Sequence, residues 1–172
     1  MYVPVDAIEL SNEVLEIARK NNHKLAAAES CTAGLISATL TEIPGASKAF
    51  DRGFVTYSNE AKSEMLDVPP EMIKQCGAVS EEVVRAMAEG AIYYSNADFA
   101  VAVTGIAGPA GGSADKPVGL VHFAVSSKHY PQIHRKKIFA AMDRENVRAA
   151  TVEYAMIMLI ESMTQKPRMS PD

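Results

Sequence analysis

Hydrophobic positions along this chain recur with two different periods, and the alternation between them outlines a fold. From Asp6 to Asn22 the apolar residues Ile8, Val14, Leu15, Ile17 and Ala18 fall on one side of a helical repeat, which predicts an amphipathic helix. Lys24 to Glu29, with Leu25-Ala26-Ala27-Ala28 inside it, predicts a first strand, and Thr32 to Thr41 a helix closed by the turn Ile43-Pro44-Gly45. Phe50 to Tyr57 reads as a second strand with Gly53 inside it, and Asn59 to Leu66 as a short helix stopped by Pro69-Pro70, with one further turn over Glu71 to Gln75. Ser80 followed by Glu81 and Glu82 is a helix start, a capping hydroxyl with acidic residues in the first turn, and that helix extends to about Tyr94.

Asp98 to Thr104 is a continuous apolar run whose length suits a strand covered on both faces. A loop rich in Gly and Pro spans Gly105 to Pro117. It is followed by β-rich segments over Val118 to Ser126 and Gln132 to Phe139, then by a last helix from Arg144 to Met163. Strands alternating with helices predict a three-layer α/β/α sandwich. The connection around Lys128 to Pro131 is too short for a parallel crossover, so the last two strands pair antiparallel. The expected sheet is mixed, mostly parallel and of about five strands. One domain over residues 1–164 precedes a tail, 165–172, expected to be disordered.

Composition narrows the function classes. The chain has 172 residues, 48% apolar and 22% charged, as expected of one globular domain with a substantial core. Its net charge of −4 supplies no global positive field for nucleic acid, and the basic run His134-Arg135-Lys136-Lys137 reads as the exposed face of a strand. No apolar stretch approaches the ~20 residues that span a bilayer. Met1 to Asp6 lacks the basic and apolar regions of a signal peptide. Cys31 and Cys76 form neither a metal-ligand spacing nor a disulfide framework, so a reducing cytoplasm is the expected compartment. No cofactor is expected.

Candidate chemistry begins at Glu29-Ser30-Cys31-Thr32-Ala33-Gly34, a turn between the first strand and a helix start. A hydroxyl there sits beside unpaired helix N–H groups, where developing negative charge is stabilised. The same position suits an ordinary cap, and taken alone the cap is the commoner reading of Ser30. Cys31 is an alternative nucleophile, although a free cysteine is more often a small buried residue. The loop from Thr104 to Ser113 lacks the lysine of a Walker motif and the spacing of a dinucleotide fingerprint. Its N–H groups suit a phosphate or an amide, while its glycines equally suit a plain surface loop. Tyr57 ends a strand and Lys62 lies about one turn into the next helix, so both can face one strand end. A neutral lysine can deprotonate a serine, but a solvated lysine and a core tyrosine account for the same residues. His23, His122, His129 and His134 lie outside every motif, and no Ser-His-Asp triad is supported.

Several of these segments together resemble a known family, the C-terminal domain of competence/damage-inducible protein A, or nicotinamide-nucleotide amidohydrolase. The resemblance rests on Ala28 to Gly34, Arg52 to Lys62, Gly77-Ala78-Val79-Ser80, Val103 to Pro109 and Lys116-Pro117-Val118-Gly119, in the family's order. It implies a three-layer α/β/α fold with a mixed sheet. It also implies Ser30 as nucleophile, Lys62 as base and Tyr57 as proton relay. The implied reaction is hydrolysis of the carboxamide of nicotinamide mononucleotide to nicotinic acid mononucleotide and ammonia, without a metal.

The oxyanion is expected on N–H groups after Ser30, beside Thr32, or on the Thr104-Gly105 turn. The phosphate is expected on the glycine-rich loop, at Gly108, Gly111 and Gly112, or on Arg144 and Arg148. The family's second glycine in the first motif is here Ala33, harmless if that site is helical. The pyrophosphatase-like domain of longer relatives is absent from this sequence, so amidase activity alone is expected. The competing readings are a catalytically silent nucleotide-binding or interaction domain and an amidase for another small substrate. The run Ala155-Met156-Ile157-Met158-Leu159-Ile160 exceeds what one buried helix face needs, and a homodimer is expected to cover it.

Overall fold

In the computed structural model, residues 5–165 are described. The expected tail, apart from Gln165, and the extreme amino terminus lie outside them. Five strands, β1 (Leu25–Glu29), β2 (Phe50–Val55), β3 (Phe99–Gly105), β4 (Leu120–Ser127) and β5 (Ile133–Ile138), form one sheet in the order β2-β1-β3-β4-β5. β1 pairs parallel with β2 and β3, and β4 pairs antiparallel with β3 and β5. Four strands therefore share one direction and β4 opposes them, which is the expected mixed, mostly parallel sheet.

Six helices cover its two faces: α1 (Val5–Lys20), α2 (Leu35–Thr41), α3 (Asn59–Leu66), α4 (Pro70–Cys76), α5 (Glu81–Tyr93) and α6 (Arg144–Thr164). The alternation of side chains along the central strands explains the layers. Leu25 and Ala27, Phe99, Val101 and Val103, and Val121, Phe123 and Val125 face α1, α2 and α6 in one core. Ala26, Ala28, Ala100, Ala102 and Ala124 face the other layer, where small side chains let α5 lie close to the sheet. Both faces of the central strands are covered, which is why they read as unbroken apolar runs. At the edge, β5 exposes Arg135, Lys136 and Lys137, charges that oppose pairing with another chain.

Two expectations require correction. The helix predicted from Thr32 begins at Leu35, because Ala33 (φ 49°) and Gly34 (φ 93°) are both left-handed. A left-handed pair cannot continue a right-handed helix, so Ser30 to Gly34 is a turn. The apolar surplus of α6 is covered within the chain: Ala155, Met156, Met158 and Leu159 are buried against α1 and the sheet, and Ile157 is 44% exposed. Four of the six residues in that run are thus buried within the chain.

Topology positions a site. The chain leaves β1 toward the α2 layer and leaves β2 toward the α3 layer, so the strand ends between them open as a crevice. Because β1, β2 and β3 are parallel, the residues after β1 and β2 and the end of β3 meet at one sheet edge.

Candidate active site

Ser30 follows β1 directly, and its N–H donates to the Val103 carbonyl of β3 at 3.2 Å. The turn after it is held by a residue the sequence reading did not single out. Glu29 is fully buried, and its carboxylate accepts from the Gly34, Ile36 and Ser37 N–H groups and the Ser37 hydroxyl at 2.7–3.0 Å. An acidic side chain thus fills the anion site at the start of α2, the place expected for Ser30 as a cap. Gly53 on the neighbouring strand makes room for this arrangement, since a Cβ there would collide with the Ser37 hydroxyl. A carboxylate in an otherwise apolar run was the available signal, because a buried charge needs several donors.

With these amides occupied, the N–H groups of α2 are not open to an oxyanion. Ala33 N–H donates to the Ser30 carbonyl and Leu35 N–H to the Thr32 carbonyl. Among the described residues, the Cys31 and Thr32 N–H groups donate to no backbone carbonyl. Ala33 is not helical, so its methyl is strained there rather than harmless. Ala33→Gly should raise stability by about 0.5–1 kcal/mol, the left-handed penalty less the added unfolded-state entropy. Thermal denaturation should show a rise of roughly 1–4 °C in Tm.

Lys62 is carried by α3, whose start is fixed by the Ser58 hydroxyl accepting from the Ala61 N–H. It is 1% exposed, and its Nζ lies 3.1 Å from Ser30 Oγ. Nζ also donates to the Thr56 carbonyl at 2.9 Å and reaches the Tyr57 and Ser58 carbonyls at 3.3 Å. A neutral amine has two N–H donors and one lone pair. Two carbonyls can take the donors, which leaves the lone pair for the Ser30 hydroxyl. Burial pushes the Lys62 ammonium below its ordinary value of 10.5. Cys31 behaves differently: burial pushes its thiol up to about 12, so it stays protonated at neutral pH and is no thiolate nucleophile.

A cavity of about 200 Å³ collects Ser30, Cys31, Tyr57, Lys62, Thr104 and Arg144. Tyr57 stands 58% exposed at its rim, where its hydroxyl accepts from Arg144 Nη2 at 3.2 Å. Arg144 Nη1 donates to the Gly108 carbonyl. The Thr104 hydroxyl donates to the Ala78 carbonyl at 2.9 Å, and Gly105 also lines the cavity. The other expected binding residues lie outside this lining. Thr32 is fully buried, Gly108 meets the site through its carbonyl, and Gly111 and Gly112 are exposed on the loop beyond. The Arg148 guanidinium is engaged with the Thr32 carbonyl.

A larger groove of about 530 Å³ runs between α3 and α4, but its lining, which includes Asn59, Ser63 and Lys74, holds no paired nucleophile and base. Chemistry rather than volume therefore locates the site. The histidines are elsewhere: His122 and His134 pair at 3.1 Å, and His134 meets Glu81 at 3.3 Å. Among the described residues no cluster of three or more His, Cys, Asp or Glu is placed to hold a metal ion.

The chain is similar to known proteins over most of its length. The CinA C-terminal domain family matches residues 7–163. The nicotinamide-nucleotide amidohydrolase PncC of Escherichia coli (strain K12) is 44% identical over 160 residues, covering 93% of this chain and 96% of that protein. A CinA-like protein of Akkermansia muciniphila is 46% identical over 144 residues, 84% of this chain but 34% of that longer protein. Among solved structures, the competence/damage inducible protein CihA from Agrobacterium tumefaciens superimposes with a TM-score of 0.93 at 47% identity, covering 96% of this chain and 99% of that one. A CinA superfamily protein from Escherichia coli gives 0.86 at 34% identity, covering 94% of each chain. By sequence and by architecture, this chain belongs to the CinA C-terminal domain family.

Proposed function

We propose that this protein hydrolyses the carboxamide of nicotinamide mononucleotide, giving nicotinic acid mononucleotide and ammonia, with Ser30 as nucleophile and Lys62 as its base. The observation that carries the reading is the 3.1 Å approach of a buried, desolvated lysine to a serine at the mouth of a crevice. The substrate class follows from the likeness to the amidohydrolase of Escherichia coli.

Ser30 Oγ attacks the amide carbon as its proton passes to the Lys62 lone pair. The Lys62 ammonium then protonates the departing nitrogen, the C–N bond breaks and ammonia leaves an acyl ester on Ser30. Water gives a proton to Lys62, attacks the ester carbon and releases the acid, while the proton returns to Ser30. The oxyanion of each tetrahedral state is received by the N–H of Cys31, the cavity-lining residue beside Ser30, which donates to no backbone carbonyl. Tyr57, at the rim, assists the proton transfers. The cavity is smaller than the ~300–1,000 Å³ of typical whole-ligand sites, which suits the carboxamide-bearing ring alone. Ribose and phosphate then lie over the rim, beside exposed Arg144.

Purified protein incubated with nicotinamide mononucleotide should release ammonia and nicotinic acid mononucleotide in equal amounts, followed by a coupled ammonia assay and by chromatography. No release by folded protein, with substrate bound, would make it a silent binding domain. Release from another small amide alone would move the substrate class.

A further inference from the structure

We infer that Arg148 is a positioning residue for the nucleophile turn, holding the Thr32 carbonyl so that the Cys31 amide beside Ser30 faces the reacting oxygen. The inference rests on the serine-amidase reading above. Arg148 lies on α6, and its Nη2 donates to the Thr32 carbonyl at 2.8 Å across 116 positions of sequence. The bond is charge-assisted and ties α6 to the turn at the Thr32 carbonyl, which also accepts from the Leu35 N–H at 3.2 Å.

Pinning follows from the peptide geometry. The peptide between Thr32 and Ala33 is planar, its carbonyl is held by the shorter Arg148 bond together with the Leu35 N–H, and its N–H by the Ser30 carbonyl. Holding both ends of that plane restrains the turn at Thr32 and limits the swing of the preceding peptide, which joins Thr32 to the cavity-lining Cys31. The turn also contains the left-handed residues Ala33 and Gly34, a conformation that persists only when its surroundings enforce it.

Two further observations separate this role from ordinary packing and from substrate binding. Arg148 Nε and Thr32 Oγ1, one on each partner of the bond, are buried without hydrogen-bond partners. An apolar side chain at 148 would leave no orphaned donor, so an arginine there is poorly explained as a stability device. Arg148 also lies outside the cavity lining, whereas Arg144, one helical turn earlier, is part of it. The two arginines of α6 thus divide their work: Arg144 faces the cavity and Arg148 the turn beneath it.

The test compares unmodified protein with Arg148→Met and Arg148→Lys on two readouts. The first is turnover of nicotinamide mononucleotide. The second is independent of substrate: the rate at which a small phosphonofluoridate labels Ser30, forming the Oγ–P bond and expelling fluoride, with the site located by mass spectrometry. The P=O oxygen occupies the same amide pocket as the oxyanion. Arg148→Met should lower kcat and the labelling rate together by roughly 30–100-fold, with KM within about threefold, as expected when oxyanion donors are misplaced. Arg148→Lys, which keeps one charged donor, should recover part of both, to within roughly 3–10-fold of unmodified protein, and stay folded by circular dichroism.

A raised KM with unchanged kcat and labelling would make Arg148 a substrate contact and overturn the inference. So would unchanged values on all three measures, or a loss of Arg148→Lys labelling equal to that of Arg148→Met. If Arg148→Met does not fold, Arg148→Lys decides: a loss of roughly 3–10-fold in labelling at constant KM supports the inference, and none refutes it. If unmodified protein is labelled at Ser30 but releases no ammonia, the substrate reading fails while the Arg148 comparison still stands.

Discussion

Ser30→Ala should reduce ammonia release from nicotinamide mononucleotide by at least about 10⁴-fold, leaving only the contribution of binding and the oxyanion site. The substitution removes the atom proposed to attack the amide carbon and leaves the turn otherwise intact. The Ser30 N–H still reaches the Val103 carbonyl, and the Glu29 carboxylate still fixes the start of α2. Substrate affinity should therefore change little, and the melting temperature should stay within a few degrees. Cys31→Ala is the companion measurement, because Cys31 is adjacent and also lines the cavity. Its thiol is held protonated by burial, so turnover should stay within about tenfold of the unmodified protein, the reduction reflecting packing alone. Near-normal turnover by Ser30→Ala, or abolition of turnover by Cys31→Ala at unchanged stability, would reassign the nucleophile.

Lys62→Met should cost a comparable amount, about 10⁴-fold in kcat, and combining it with Ser30→Ala should cost almost nothing more. A nucleophile and its base act as a unit, so the two losses do not add. Lys62→Arg sharpens the test: it keeps a positive charge beside Ser30 but cannot give up a proton near neutral pH, so it should be as inactive as Lys62→Met. Activity in Lys62→Arg would make the lysine an electrostatic partner instead of a base.

The pH profile gives a second view of the same residue. Burial lowers the Lys62 pKa below 10.5, and the neutral amine is the form that accepts the proton. kcat/KM should therefore rise with pH through the depressed value and level off above it. A profile that falls over the same interval would contradict a lysine base. The sign for stability is the same. Between the depressed folded value and 10.5 the unfolded chain binds more protons, so this residue's contribution to stability grows with pH across that window and is lost as pH falls.

Much of the architecture was legible in the chain because it depends on short-range periodicity. Apolar runs identified β1 and β3 as strands, β3 as one covered on both faces, and the Ser80 hydroxyl with Glu81 and Glu82 located the start of α5. The short link before β5 required an antiparallel pair, which the register of β4 and β5 displays. The candidate nucleophile and base were legible as residue types at strand ends, although their pairing came from the family resemblance and not from spacing.

What spacing could not supply was any relation that depends on distance through space. Ser30 and Lys62 are separated by 32 positions and meet only because β1 and β2 run parallel with their exits on opposite faces. The occupant of the α2 start was Glu29 rather than Ser30, since three amides and a hydroxyl converge on a carboxylate only after the turn closes. The left-handed conformation of Ala33 is likewise imposed by that closure, against the residue's own preference. Arg144 and Arg148 are the same residue type one helical turn apart, and sequence gave both the same expected role. Tertiary packing directs one to the cavity rim and the other to the Thr32 carbonyl. Periodicity and capping act between neighbours along the chain and so can be read from it, whereas burial, charge pairing and pinned peptides arise between distant segments and exist only in the folded molecule.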